Sequence, residues 1–115
     1  MQYLLLIYGN EKRYANGYDP AEMKEYNAFG QEFAKFIKGG NALKPTSTAK
    51  TVRVRNGKAA NTDGPFAETK EQLGGFYLVE AGSVDEAVKI AAKIPGARFG
   101  SIEVRPIETF SQPAK

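Results

Sequence analysis

The densest polar chemistry of the chain lies in one run, Asp63-Gly64-Pro65-Phe66-Ala67-Glu68-Thr69-Lys70-Glu71, just ahead of Gly74-Gly75-Phe76-Tyr77. Asp bonds backbone amides a residue or two ahead, Gly admits unusual dihedrals and Pro fixes φ, so the first four residues read as a rigid turn. On that reading Asp63 satisfies loop amides and Phe66 plugs the core. A functional reading makes Asp63 an acid, a base or a ligand-orienting carboxylate at a pocket mouth, and the two can coexist. Residues 67–72 read as a short helical turn with Glu68 and Glu71 on one side. Paired carboxylates divide acid and base roles or hold a hard cation through oxygen; a solvated surface group is the plainer account. Arg53, Arg55, Arg98 and Arg105 are the candidate anion binders, or else partners of Glu103, Glu80 or Asp63. Tyr8 and Tyr77 can lend hydroxyls to a pocket or form the polar rim of an aromatic core.

What the chain lacks narrows the chemistry further. It has no histidine and no cysteine, which excludes thiolate catalysis, disulfides and cysteine-held metals and removes the commonest general base. Acid–base work falls to Asp, Glu, Tyr or Lys. No cofactor is called for: Gly74-Gly75 belongs to no GxGxxG or P-loop pattern and reads as a bulge or a close backbone approach. The 16 basic and 13 acidic residues are interspersed, with a net charge of +3. That is a solvated surface rather than a nucleic-acid footprint. No apolar stretch approaches the ~20 residues of a membrane span, and Tyr3 to Tyr8 is too short for a signal core. A cytoplasmic protein is expected, in keeping with the missing cysteines.

These residues must be positioned by a single domain, since 115 residues suffice for one core. Tyr3 to Tyr8 is a continuous apolar run, as in a buried central strand. Asp19-Pro20-Ala21-Glu22 is a helix start. Met23, Tyr26, Phe29, Phe33, Phe36 and Ile37 follow at helical spacing, and Gly39-Gly40 ends the element. Thr51 to Arg55 alternates, Asn56-Gly57 signals a hairpin, and a weak return strand runs over 58–62. Gly75 to Glu80 is a strand. Ser83-Val84-Asp85-Glu86 opens a second helix that Pro95-Gly96 stops. Ser101 to Arg105 is the last strand. The domain is expected over 1–107, with a frayed tail over 108–115.

Reduced to its major elements the order is βαββαβ, an α+β, ferredoxin-like arrangement with an antiparallel sheet. Both helices then cover one sheet face. The other carries apolar residues from strands one and three, which a solvated face would not. A second copy packed there, making a homodimer, is the expected cover.

The Asp63-to-Glu71 run, with Leu73-Gly74-Gly75-Phe76 after it, resembles the DGPF motif of the YCII-related family. Met1 to Gly9, Thr51-Val52-Arg53 and Gly100 to Pro106 resemble that family too. The resemblance implies a dimeric α/β-barrel of ferredoxin-like units. It implies a proposed His–Asp active site in the broader group and a lyase-type dehydrochlorinase in one branch. Only the carboxylate half of such a site can exist here, with Asp63 as its candidate. The resemblance also carries a transcription-associated label, although nothing in the chain looks like a DNA-reading element. The leading expectation is a homodimer of unassigned activity with a small-molecule pocket near the DGPF loop. As an enzyme it would use Asp63 as acid or base, Arg53 or Arg105 to hold an anion, Glu68 at the pocket edge and Tyr8 or Tyr77 to orient a small acidic or phenolic ligand. The alternatives are a lyase-like enzyme with a carboxylate replacing the histidine, a non-catalytic regulatory binding protein and a structural dimer without a pocket.

Overall fold

The computed structural model describes residues 1–110, so positions 111–115 of the expected tail lie outside the described residues. Eight main elements follow one another: β1 (Gln2–Gly9), α1 (Pro20–Glu32), β2 (Ile37–Ala42), β3 (Lys50–Arg55), β4 (Lys58–Asp63), β5 (Gln72–Glu80), α2 (Val84–Ala91) and β6 (Ser101–Pro106). Four strands form one antiparallel sheet in the order β2-β5-β1-β6, and β3 and β4 form a hairpin of their own. With the hairpin set aside, the topology is the ferredoxin-like βαββαβ.

The second strand of that topology is not the one the sequence suggested. The helix was expected to run to Gly39-Gly40, but α1 ends at Glu32 and Ile37–Ala42 is strand β2. Phe33 and Ile37 continue the i, i+4 contact one turn further, through the Ile37 N–H bond to the Phe33 carbonyl at 3.1 Å. The apolar spacing therefore outlasts the helix. A Cβ on Gly40 would lie 2.6 Å from the Phe76 carbonyl oxygen, so the glycine lets β2 close on β5 rather than ending a helix. The hairpin at 50–63 is real: Asn56 and Gly57 take φ of 53° and 75°, suited to its tight turn. It is an arm inserted between β2 and β5, outside the sheet.

The helix starts follow from local chemistry. The Asp19 carboxylate accepts the Ala21 N–H at 3.0 Å ahead of Pro20. Ser83 Oγ accepts the Glu86 N–H, and Glu86 Oε1 accepts the Gly82 N–H. Tyr3 and Leu5 of β1 and Val79 of β5 form the core with Phe29 of α1, Ala87, Ile90 and Ala91 of α2, and Ile94 beyond it. Their cross-strand neighbours Leu4–Leu78 and Leu6–Phe76 share the opposite face, which no helix covers. Arg105 pairs with Leu4 and Glu103 with Leu6 on that same face. Every arm residue but Thr51 is exposed. The radius of gyration is 16.7 Å, against about 13 Å for a compact chain of this length. Among the described residues no helix is long and apolar enough to cross a membrane.

Candidate functional site

A cavity of about 530 Å³ opens where β1 ends and β5 begins, walled by the 10–18 segment and the first turns of α1. The segment is tied down by its own polar residues. Asn10 Oδ1 accepts the Lys12 N–H at 2.9 Å and starts a short 3₁₀ turn, Glu11–Tyr14. The Glu11 N–H donates to Gln72 Oε1 at 3.0 Å, and the Glu11 carboxylate accepts the Thr46 N–H at 2.9 Å and its hydroxyl at 3.2 Å. This anchoring makes Arg13 and Tyr14 part of the cavity wall.

Arg13 Nη2 donates to Glu22 Oε2 at 2.9 Å and Arg13 Nη1 to the Tyr14 hydroxyl at 2.9 Å. The guanidinium lies 3.8 Å from the centre of the Phe99 ring. Glu22 sits in the first turn of α1, where a carboxylate also meets the positive end of the helix. It is only 6% exposed, and among the described residues its second oxygen, Oε1, is buried without a hydrogen-bond partner. Most buried acceptors in folded proteins are satisfied, so this oxygen stands out.

Three phenols of the lining are shifted by their surroundings. Tyr26 accepts the Gly96 N–H at 3.2 Å, and burial, aided by Tyr14 and Glu22, pushes its pKa up to about 12. Burial, then the charge of Glu22, also raises Tyr14. Burial alone raises Tyr77. All three therefore keep their protons well above neutrality and remain available as donors. Tyr8, Tyr18 and Met23 also contribute to the wall. The site can accommodate a flat aromatic molecule, offer it hydroxyl donors and present a buried carboxylate. Among the described residues no three or more acidic side chains gather to hold a metal ion.

Of the residues singled out in the sequence, Tyr8 and Tyr77 line this cavity; Asp63, Arg53, Glu68 and Arg105 do not. Asp63 lies at the end of β4, 82% exposed, ion-paired with Lys50 across the hairpin. It does not cap the loop amides. The turn instead is held by the Gly64 N–H on the Ala49 carbonyl at 2.8 Å and by the Thr51 hydroxyl on the Gly64 carbonyl at 3.0 Å. Phe66 is 79% exposed rather than a core plug, with the Arg53 guanidinium 5.5 Å from the centre of its ring. Residues 67–72 form no helical turn. Glu68 is exposed there, while Glu71 accepts the Ser101 hydroxyl at 2.8 Å. Arg105 lies on the uncovered sheet face, and Arg98 pairs with Glu25 at 2.7 Å.

Arg13, Tyr14, Glu22 and Tyr26 were not among the expected site residues. Glu22 had been assigned to the helix cap and Tyr26 to the apolar stripe. A signal was available: Glu22, Tyr26, Phe29 and Phe33 fall at i, i+4, i+7 and i+11, which puts one carboxylate on the buried face of α1.

Comparisons with known proteins agree with this fold. An uncharacterized protein of Rhizobium meliloti (strain 1021) is 38% identical over 117 residues, covering 96% of this chain and 94% of its own. The solved structure of 5-chloro-2-hydroxyhydroquinone dehydrochlorinase from Burkholderia phenoliruptrix, a complex with 2,5-dihydroxybenzoquinone, superimposes with a TM-score of 0.57. The two share 16% identity and 94% of each chain is covered, a likeness of fold. The model of the YCII-related domain matches residues 1–111, and the chain therefore belongs to the YCII-related domain family.

Proposed function

We propose that the cavity binds a small aromatic molecule, acidic or phenolic, and that the chain acts on it as a lyase-like enzyme. The observation that carries this reading is the convergence of Glu22, Tyr14, Tyr26 and Tyr77 on one apolar cavity. The cavity is large enough to admit an aromatic ring with its substituents. The dehydrochlorinase of the same fold was solved with a dihydroxybenzoquinone, which supports a ligand of that kind. An elimination needs a base to take a proton as a leaving anion departs. Glu22 supplies the carboxylate that was sought in Asp63, in a chain without histidine.

The reading includes a homodimer closed over Leu4, Leu6, Phe76 and Leu78, a single unit over 1–107 and a cytoplasmic site of action. The dimer hides an apolar sheet face that would otherwise meet water. One observation favours a second reading, a non-catalytic binding protein: the arm exposes Val52, Val54 and Phe66 beside Arg53 and Arg55.

A thermal-shift series with hydroxylated and carboxylated benzenes tests the leading reading. Ligands that bind the folded state raise its melting temperature, and Tyr77→Ala is expected to abolish the shift. A wild-type protein indifferent to the whole series refutes it. Sedimentation showing a monomer at micromolar concentration refutes the dimer.

A further inference from the structure

Among the described residues Glu22 Oε1 has no hydrogen-bond partner, although its neighbours Arg13 and Oε2 are engaged. Oε2 is held by Arg13. The other arm of the guanidinium is occupied by the Tyr14 hydroxyl, and its face rests on Phe99. The charge of Arg13 is thus already matched by Glu22. The remaining charged lining groups are Glu11, engaged by Thr46, and Lys44. Lys44 is solvent-exposed, so among the described residues the cavity lining offers a buried carboxylate and no buried cation beyond the paired Arg13.

We infer that Glu22 Oε1 is the acceptor for a hydroxyl of the ligand, and that the site therefore takes neutral phenols or enols and excludes carboxylates and other anions. This rests on the preceding reading of an aromatic site and narrows it to the phenolic ligands, discarding the acidic ones. A hydroxyl donor would complete the empty valence with a charge-assisted hydrogen bond. An anion would instead meet the Glu22 charge in a setting that screens it poorly. Arg13 is a positioning residue here: it fixes the carboxylate through Oε2, and a ligand hydroxyl has to displace the wall that closes Oε1 off from solvent.

The test compares three molecules of similar size by calorimetry: hydroquinone, 1,4-dimethoxybenzene, which has no donor, and benzoate. Wild-type protein is expected to bind hydroquinone at least about tenfold more tightly than either of the others, the scale of one hydrogen bond to a charged group. Glu22→Gln is expected to weaken hydroquinone and improve benzoate, narrowing the gap between them. Benzoate equal to hydroquinone on wild-type protein overturns the inference without needing any variant. So does an unchanged preference in a folded Glu22→Gln protein. If none of the three binds, the aromatic-site reading beneath it fails as well.

Discussion

The cavity corner and the β3–β4 arm make opposite use of charged residues. At the corner one ion pair, Arg13–Glu22, is drawn under an aromatic wall and is 30% and 7% exposed at its two side chains. On the arm another pair, Lys50–Asp63, is 63% and 82% exposed. The first lies where solvent screens little, so its geometry governs stability and binding. The second competes with water at every contact and is worth little. The polar run that dominates the sequence lies on the arm and its return, whereas the buried polar groups come from the 10–18 segment, α1 and β5. Density of charge along a chain does not reveal which charges are buried together; their convergence in space does.

Perturbing each region sharpens the contrast. Arg13→Leu leaves the Glu22 carboxylate buried without compensation and is expected to cost about 3 kcal/mol in urea unfolding. A loss below about 0.5 kcal/mol would place the corner in the same class as the arm. Gly96→Ala sets a Cβ 2.8 Å from the Tyr26 hydroxyl and 3.2 Å from Ile7. It should cost about 1–3 kcal/mol by overpacking.

A pH titration reads the same corner more gently. The folded pKa of Tyr26 is raised above its ordinary 10.0 to about 12. Its neutral form favours the folded state, so this contribution is full below about pH 10 and is lost as pH rises towards 12. Tyr14 and Tyr77 are raised in the same direction. Tyr26→Phe should flatten the alkaline decline in melting temperature, and an unchanged slope would remove Tyr26 from it.

The smallest effects belong to the arm. Val54→Ser and Asp63→Ala are each expected to change stability by less than about 0.5 kcal/mol in a monomer. A larger loss for Val54→Ser that grows with protein concentration would mean that a second copy covers the arm, since a two-stranded ribbon alone is only marginally stable.

Much of this was legible before any coordinates. The apolar run of β1, both helix starts and the Asn56-Gly57 turn are local events, decided by side-chain polarity and by hydrogen bonds within a few residues. The extent of α1 and the role of Gly39-Gly40 were not legible. Helical spacing persists through Phe33 and Ile37 whether or not the helix does, and only pairing with β5 converts the segment into a strand. Likewise the hairpin turn was visible, but not that its strands stand apart from the sheet.

The sequence by itself determined the ferredoxin-like class of fold, the first and last strands, both helix starts and a chemistry without histidine or cysteine, because those depend on composition and near neighbours. Tertiary structure decided how far each carboxylate is buried and what it meets there. Glu22 and Asp63 are the same kind of group. One is enclosed by a helix, a loop and an aromatic wall that meet only in the folded chain, while the other is left in water on an arm.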